Sequence, residues 1–195
     1  MKQKKVILYI RGEDYEEMNK DFSIRSYNDD DYKFFDDAQF EMYKFEMWRD
    51  KEGTEEEIRK AYQEFIISDP LDHTGENHQV YIVENKAGTP IGLIWIALRD
   101  PFWKYDKPIC WVYNLFINPE YRKMGIASSL LKRTESWAKE RGSMTIGLHV
   151  ADFNHNAIKL YSKMGYQLVH THNWSCFYDK SISNQLKAKN GINKV

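Results

Sequence analysis

The stretch Tyr113 to Ala127, Y-N-L-F-I-N-P-E-Y-R-K-M-G-I-A, places residues in the order that builds an anion site. Asn114 to Ile117 is apolar and aromatic enough for a buried strand. Asn118-Pro119 then stops the ladder, because proline lacks an N–H and restrains the residue before it. Arg122 to Ala127 carries one glycine and leads into an amphipathic run, with Leu130, Leu131, Thr134, Trp137 and Ala138 at helical spacing. A strand, a tight turn and a helix in that order aim unpaired N–H groups and the positive end of the helix dipole at one point. The chemistry expected there is capture of a phosphate or pyrophosphate. Neither G-x-x-x-x-G-K-[ST] nor G-x-G-x-x-G is present, so nucleotide P-loop and dinucleotide-fold readings fit badly. An ordinary strand–helix connection is the structural alternative.

A second stretch carries more reactive side chains. Leu148 to Asn154, L-H-V-A-D-F-N, reads as a short strand running into a polar turn. His155 to Met164 reads as a helix with Asn154 at its N-cap and Gly165 as its stop. Tyr166 to Val169 resumes as a strand. With N-P-E-Y ahead of it, R-x-x-G-x-A resembles the acetyl-CoA pyrophosphate loop of the GCN5-related N-acetyltransferase (GNAT) superfamily. The pattern L-x-V-x-x-x-N-x-x-A-I-x-L-Y-x-x-x-G-Y resembles the second signature of that superfamily, in the same order and at a matching spacing.

The resemblance implies a GNAT-like α/β (α+β) fold, a mixed and mostly antiparallel sheet of about six or seven strands flanked by helices. It implies acetyl-CoA as cosubstrate and transfer of its acetyl group to a primary amine by direct attack. The acceptor would be a small-molecule amine or a peptide N-terminus. Backbone N–H groups of Arg122, Lys123, Met124, Gly125, Ile126 and Ala127 would hold the pyrophosphate, with Gly125 bare so that the ligand can approach closely. The Arg122 and Lys123 side chains either add charge or are solvated surface cations. The central strand would splay from its neighbour and expose the backbone of Leu115, Phe116 and Ile117 to the pantetheine arm, an N–H near Phe116 polarising the thioester carbonyl. Asn154 would contact the CoA arm as well as cap its helix. A binding module that keeps the cofactor loop as an acyl-CoA sensor, without turnover, is the alternative function.

Acetyl transfer needs a neutral amine, a held thioester, a stabilised oxyanion and a protonated leaving thiolate. Tyr161 matches the family tyrosine beside the CoA sulfur; a phenol with a pKa of about 10 suits a thiolate of about 8.5–9. The structural alternative is a core tyrosine on its helix's apolar face. His149 matches the strand position where members of that superfamily often carry a glutamate or histidine base, and histidine titrates near neutrality, so it is the first candidate for the base; a surface histidine is the structural alternative. Strand alternation puts His149 and Val150 on opposite faces, and the sequence leaves open which one meets the substrate. Glu84, at a strand end, is a second candidate base and Asp152 a third. Tyr113 and Asn114 are placed to orient the amine or a water. Asp36, Asp37 and Glu41, in the acidic stretch Asp29 to Glu46, either attract a cationic amine or form a solvated helix face. His170-x-His172 shares a strand face but lacks further ligands at a diagnostic spacing, so no metal is expected.

The remaining elements must position these groups. Residues 1–20 read as an N-terminal extension with Val6 to Ile10 as an extra strand, 21–182 as the acetyltransferase domain, and 183–195 as a polar tail. Phe22 to Arg25 is the first core strand. Asp29 to Asp31 cap a helix through Trp48 whose stripe is Phe34, Phe35, Ala38, Met42 and Phe45. Thr54-x-x-Glu57 is a capping box for a second helix through Ile67, which Asp69-Pro70 ends. Val80 to Val83 and Pro90 to Ala97 form a hairpin around Asn85-Lys86-Ala87-Gly88. Arg99 to Lys107 is an aromatic loop, either a lid or an edge plug, Cys110 opens the central strand, and Ser175 to Lys180 is the last strand. Trp174 either lines the acceptor site or covers a sheet edge.

The chain has 195 residues, 42% of them hydrophobic, which suits one domain with a real core. A formal charge of −1 supplies no field to draw nucleic acid or an anionic membrane. Cys110 and Cys176 form no C-x-x-C pair, so a reducing cytoplasmic setting is expected. Val6 to Ile10 is too short for a signal peptide, and no window has the length of a membrane span. The partners expected are acetyl-CoA and an amine acceptor, and a homodimer is compatible with the resemblance.

Overall fold

The computed structural model describes residues 21–68, 70 and 72–182. The extension with Val6 to Ile10, the tail from residue 183, and Asp69 of the second helix's stop lie outside the described residues.

Among the described residues, seven strands form one sheet in the order β1-β2-β3-β4-β5-β7-β6. They are β1 (Phe22–Ser26), β2 (His78–Asn85), β3 (Pro90–Arg99), β4 (Ile109–Ile117), β5 (Thr145–Ala151), β6 (Gln167–His172) and β7 (Ser175–Ser181). Every neighbouring pair is antiparallel except β4 and β5. The β4–β5 crossover is long enough for a helix, as a parallel pair requires. That helix is α3 (Ile126–Glu140), which buries Ile126, Leu130, Leu131, Thr134, Trp137 and Ala138 against one face of the sheet. With α4 (His155–Lys163) it covers a core of Ile94, Ile96, Val112, Ile146, Leu148 and Val150, among others.

The opposite face is covered by α1 (Tyr32–Met47), with α2 (Glu55–Ser68) packed on α1. The two faces of α1 differ from the single stripe expected. Phe35 and Ala38 meet Val80, Ile82, Leu93 and Trp95 of the sheet. Phe40 and Tyr43 turn the other way and pack with Ile58 and Tyr62 of α2. A helix sandwiched between a sheet and a second helix needs two apolar faces, so Phe45 falls off the stripe and is 45% exposed.

Local signals account for the ends of these elements. Asn28 and Asp31 form a reciprocal capping box on the turn Asp29–Asp31 that leads into α1. At α2 the Glu57 carboxylate accepts from Thr54 N–H at 2.7 Å, and Thr54 Oγ1 accepts from Glu57 N–H at 3.3 Å. The β2–β3 turn is closed by the Asn85 side chain, which accepts from the N–H groups of Ala87 and Thr89. Cys110 and Cys176 are free thiols, both buried. Among the described residues, no helix is long and apolar enough to cross a membrane.

Candidate active site

Two interruptions in the sheet create the site. On the β3 side of β4, Trp95 pairs with Asn114 but Ile96 pairs with Val112, so Tyr113 is an extra, bulged residue. On the β5 side, β4 pairs only through Cys110, Trp111 and Val112, with Ile146, Gly147 and Leu148. Beyond those pairs β4 runs to Ile117 and β5 to Ala151 with no ladder between them, so the strands part and a stretch of β4 main chain faces a gap.

Strand parity decides which groups face that gap. Asn118 N–H donates to Ile91 C=O at 2.9 Å across β3. By antiparallel alternation, Phe116 and Asn114 also direct their main chain to β3, while Leu115 and Ile117 direct theirs to the open side. The expectation of a polarising N–H near Phe116 therefore shifts to its neighbours, Leu115 and Ile117. The Phe116 ring lies on the α1 face, edge-on to Phe34 at 6.2 Å. Tyr113 and Asn114 turn to the same face. Tyr113 stacks on Trp95 with centroids 4.8 Å apart, and buried Asn114 donates to Gln39 of α1.

The gap leads to the turn before α3. Lys123 and Gly125 both have positive φ, 65° and 84°, and Gly125 is the N-cap. The Ser129 N–H closes on Gly125 C=O at 3.1 Å, which leaves the N–H groups at the helix's start as orphan donors. A Cβ on Gly125 would meet no protein atom within 4 Å, so glycine is required here by the left-handed backbone, and the space in front is open. Arg122 is more than a solvated cation, because its Nε donates to Ile117 C=O at 3.0 Å. Open donors, an electropositive helix tip and two flanking cations are a fit for a pyrophosphate.

Asn154 caps α4 by accepting from Ala157 N–H at 3.2 Å. Tyr161 of α4 is 7% exposed and stands edge-on to Tyr166, so it is also part of the core. Burial first, and then the negative charge of Glu46, push its phenol above the ordinary value. Val150 is buried under α3 and α4, which leaves His149 on the α1 face. There its ring lies 6.1 Å from Phe177, and its Nε2 is 3.9 Å from a carboxylate oxygen of Glu46. Two elements on opposite faces, α1 and α4, thus bring Glu46 and Tyr161 within electrostatic reach of each other.

Glu84 is not brought to this place. It sits on β2, with β3 and β4 between it and β5, and its carboxylate accepts from Arg25 Nε at 2.8 Å. The same guanidinium holds Asp31 with two hydrogen bonds of 2.6 and 2.7 Å. A carboxylate held by arginine in an edge-strand network is a structural anchor, which removes the reason for assigning it as base. Asp36, Asp37 and Glu41 are likewise engaged, by Tyr62, by Lys33 and by Lys44. Asp152 does reach the site. With Glu46, Met47, Arg49, Asp50, Lys51, Phe153 and Trp174 it lines a recess of about 340 Å³. The aromatic loop lies instead on the β5–β7–β6 half, Tyr105 donating to Asp179 at 3.1 Å and Trp103 meeting Phe177 and His170.

The model of the acetyltransferase (GNAT) family matches residues 23–166. The chain belongs to that family. It is similar to an uncharacterized N-acetyltransferase, YdgE, of Bacillus subtilis, at 29% identity over 121 residues, 62% of this chain and 73% of that protein. A shorter match, 35% identical over 65 residues, joins it to the thialysine N-epsilon-acetyltransferase of Bos taurus and covers 33% of this chain and 38% of that one. Its fold is that of the PaiA N-acetyltransferase from Thermoplasma acidophilum in complex with coenzyme A, with a TM-score of 0.61 at 19% identity over 82% of this chain and 98% of that one. The protein is an acetyltransferase of GNAT type.

Glu46, beside His149 and in the recess, is a residue that the sequence did not single out. The signal was present but faint: a glutamate in the last turn of a helix sits against the negative end of the dipole. Asp31, Asp36, Asp37 and Glu41 of that stretch have cations or a hydroxyl to answer them, and only three-dimensional placement sets Glu46 beside His149.

Proposed function

We propose that the protein transfers the acetyl group of acetyl-CoA directly to a primary amine. The observation that carries this is the adjacency of the open Leu115–Ile117 edge of β4 and the electropositive tip of α3, linked by the Arg122 side chain. In this reading the turn Arg122 to Ala127 holds the pyrophosphate, and the segment Leu115 to Ile117 lines the pantetheine arm. The Leu115 or Ile117 N–H polarises the thioester carbonyl, and Asn154 contacts the arm while capping α4.

His149 removes one proton from the incoming ammonium, directly or through a water, and passes it to solvent. The freed amine attacks the thioester carbon, forming the C–N bond. The tetrahedral adduct collapses with cleavage of the C–S bond. Tyr161 gives its proton to the departing sulfur and regains one from the adduct's nitrogen, so that amide and thiol leave neutral. The raised phenol keeps Tyr161 protonated at the start of each turnover.

A thiol-release assay tests this, with acetyl-CoA and thialysine, spermidine, an aminoglycoside or a short peptide with a free N-terminus. Release of CoA in step with N-acetyl product on one of these amines is expected. Acetyl-CoA binding with no thiol release on any of them would contradict it and return the sensor reading.

A further inference from the structure

We propose that Glu46 is the group that receives the acceptor's ammonium, which makes the enzyme selective for cationic primary amines over amines that are neutral at pH 7. This deepens the transferase reading and rests on it for the place of the acceptor.

The first support is an unanswered charge. The Glu46 side chain is only 15% exposed, and among the described residues the one positively ionisable group within ion-pair distance is His149, at 3.9 Å, which is charged only when protonated. The cations nearby are committed elsewhere. Lys44 pairs with Glu41 at 2.6 Å, Arg49 pairs with Asp50 at 2.9 Å and lies 3.8 Å from the Phe153 ring, and Lys51 sits over Trp48. A mostly buried carboxylate without a cation is costly, and the end of α1 adds the unfavourable pole of its dipole. Such a placement is the kind that local rules disfavour and a ligand's charge would relieve.

The second support is position. Glu46 lies beside the His149 ring at 3.9 Å, and after burial its charge is the second cause that raises the Tyr161 phenol on α4. An ammonium held by Glu46 is therefore presented to His149, next to the place where the thioester would lie. That cation also cancels the part of Tyr161's raised pKa that Glu46 causes, which brings the phenol closer to the thiolate it must protonate. The third support is the recess. It holds three carboxylates, Glu46, Asp50 and Asp152, against Arg49 and Lys51, and its aromatic wall of Phe153 and Trp174, centroids 6.3 Å apart, suits the carbon chain behind an ammonium.

The test compares benzylamine, charged at pH 7, with aniline, neutral at pH 7, by calorimetric titration of the CoA-saturated full chain. Benzylamine is expected to bind the wild type and to lose about 10- to 100-fold in affinity in Glu46→Gln, the range for a charged hydrogen-bond partner, while aniline changes less than about twofold. Unchanged acetyl-CoA affinity shows that the variant is folded. If Glu46→Gln does not fold, Glu46→Ala carries the same comparison, benzylamine again weakening while aniline does not. Equal benzylamine affinity in wild type and variant, or no benzylamine binding to the wild type, overturns the proposal. The titration needs no turnover, so its outcome stands apart from thiol release.

Discussion

Arg122 folds back so that its Nε donates to the carbonyl of Ile117, the last residue of β4, at 3.0 Å. The contact joins the turn before α3 to the one stretch of β4 that no strand covers on the β5 side. It fixes the spacing between the proposed phosphate end and the proposed thioester end of the site. Replacing Arg122 by Ala removes both the tie and a charge. Acetyl-CoA affinity should fall by about 10-fold or more, as expected for one charge-assisted hydrogen bond, with little change in melting temperature. Titration calorimetry with acetyl-CoA and a melting curve measure the two.

Gly125→Ala separates backbone strain from ligand clash. The substituted residue must hold φ near +84°, which costs about 1–2 kcal/mol, yet its Cβ touches no protein atom within 4 Å. Stability should drop by that amount in a denaturant titration. Acetyl-CoA affinity should drop by more, because the methyl occupies the open space before the helix tip. A variant with the stability loss and unchanged affinity would move the ligand away from this turn.

Tyr161→Phe keeps the ring that packs on Tyr166 and deletes the hydroxyl. Acetyl-CoA binding should stay as in the wild type, and kcat should fall by about 100-fold or more, the usual worth of a placed acid. The sign of the pH dependence follows from the raised phenol. A tyrosine pushed above its ordinary value of about 10 stays protonated through neutral and mildly alkaline pH, so it gives kcat no alkaline fall below about pH 10. A fall that begins earlier and vanishes in Tyr161→Phe would contradict this.

His73 and His78 bear on stability. His73 stacks on Phe35 at 4.2 Å with its Nε2 buried and, among the described residues, without a hydrogen-bond partner, and His78 Nδ1 accepts from Trp95 Nε1 at 3.0 Å. Burial lowers the pKa of both rings. Their neutral forms are favoured in the fold, so the unfolded chain takes up protons first. Stability should be fully present above about pH 6.5 and decline as pH falls below it. His73→Phe should flatten that decline in melting curves taken from pH 7.5 to 5.

Much of this was legible in residue order. The hairpin of β2 and β3, the capping box of α2 and the strand–turn–helix from Tyr113 to Ala127 follow from local chemistry: side-chain caps, turn residues and the change from period two to helical spacing. What stayed hidden depends on partners distant in sequence. Phe40 and Tyr43 read as off-stripe residues until α2 covers them. Glu84 looked available as a base because nothing local revealed that Arg25, on the neighbouring strand, would hold it. Phe116 and its neighbours could not be told apart before the register with β3 was fixed. Glu46 looked like one more acid in a charged helix, and only the packing of α1 sets it beside His149 of β5.

A crystal structure of the chain with coenzyme A bound tests the proposed cofactor site most directly. The pyrophosphate is expected on the N–H groups at the start of α3, the pantetheine arm along Leu115 to Ile117, and the thiol within hydrogen-bond reach of the Tyr161 hydroxyl. Coenzyme A bound elsewhere, or its thiol remote from both Tyr161 and His149, would contradict that placement.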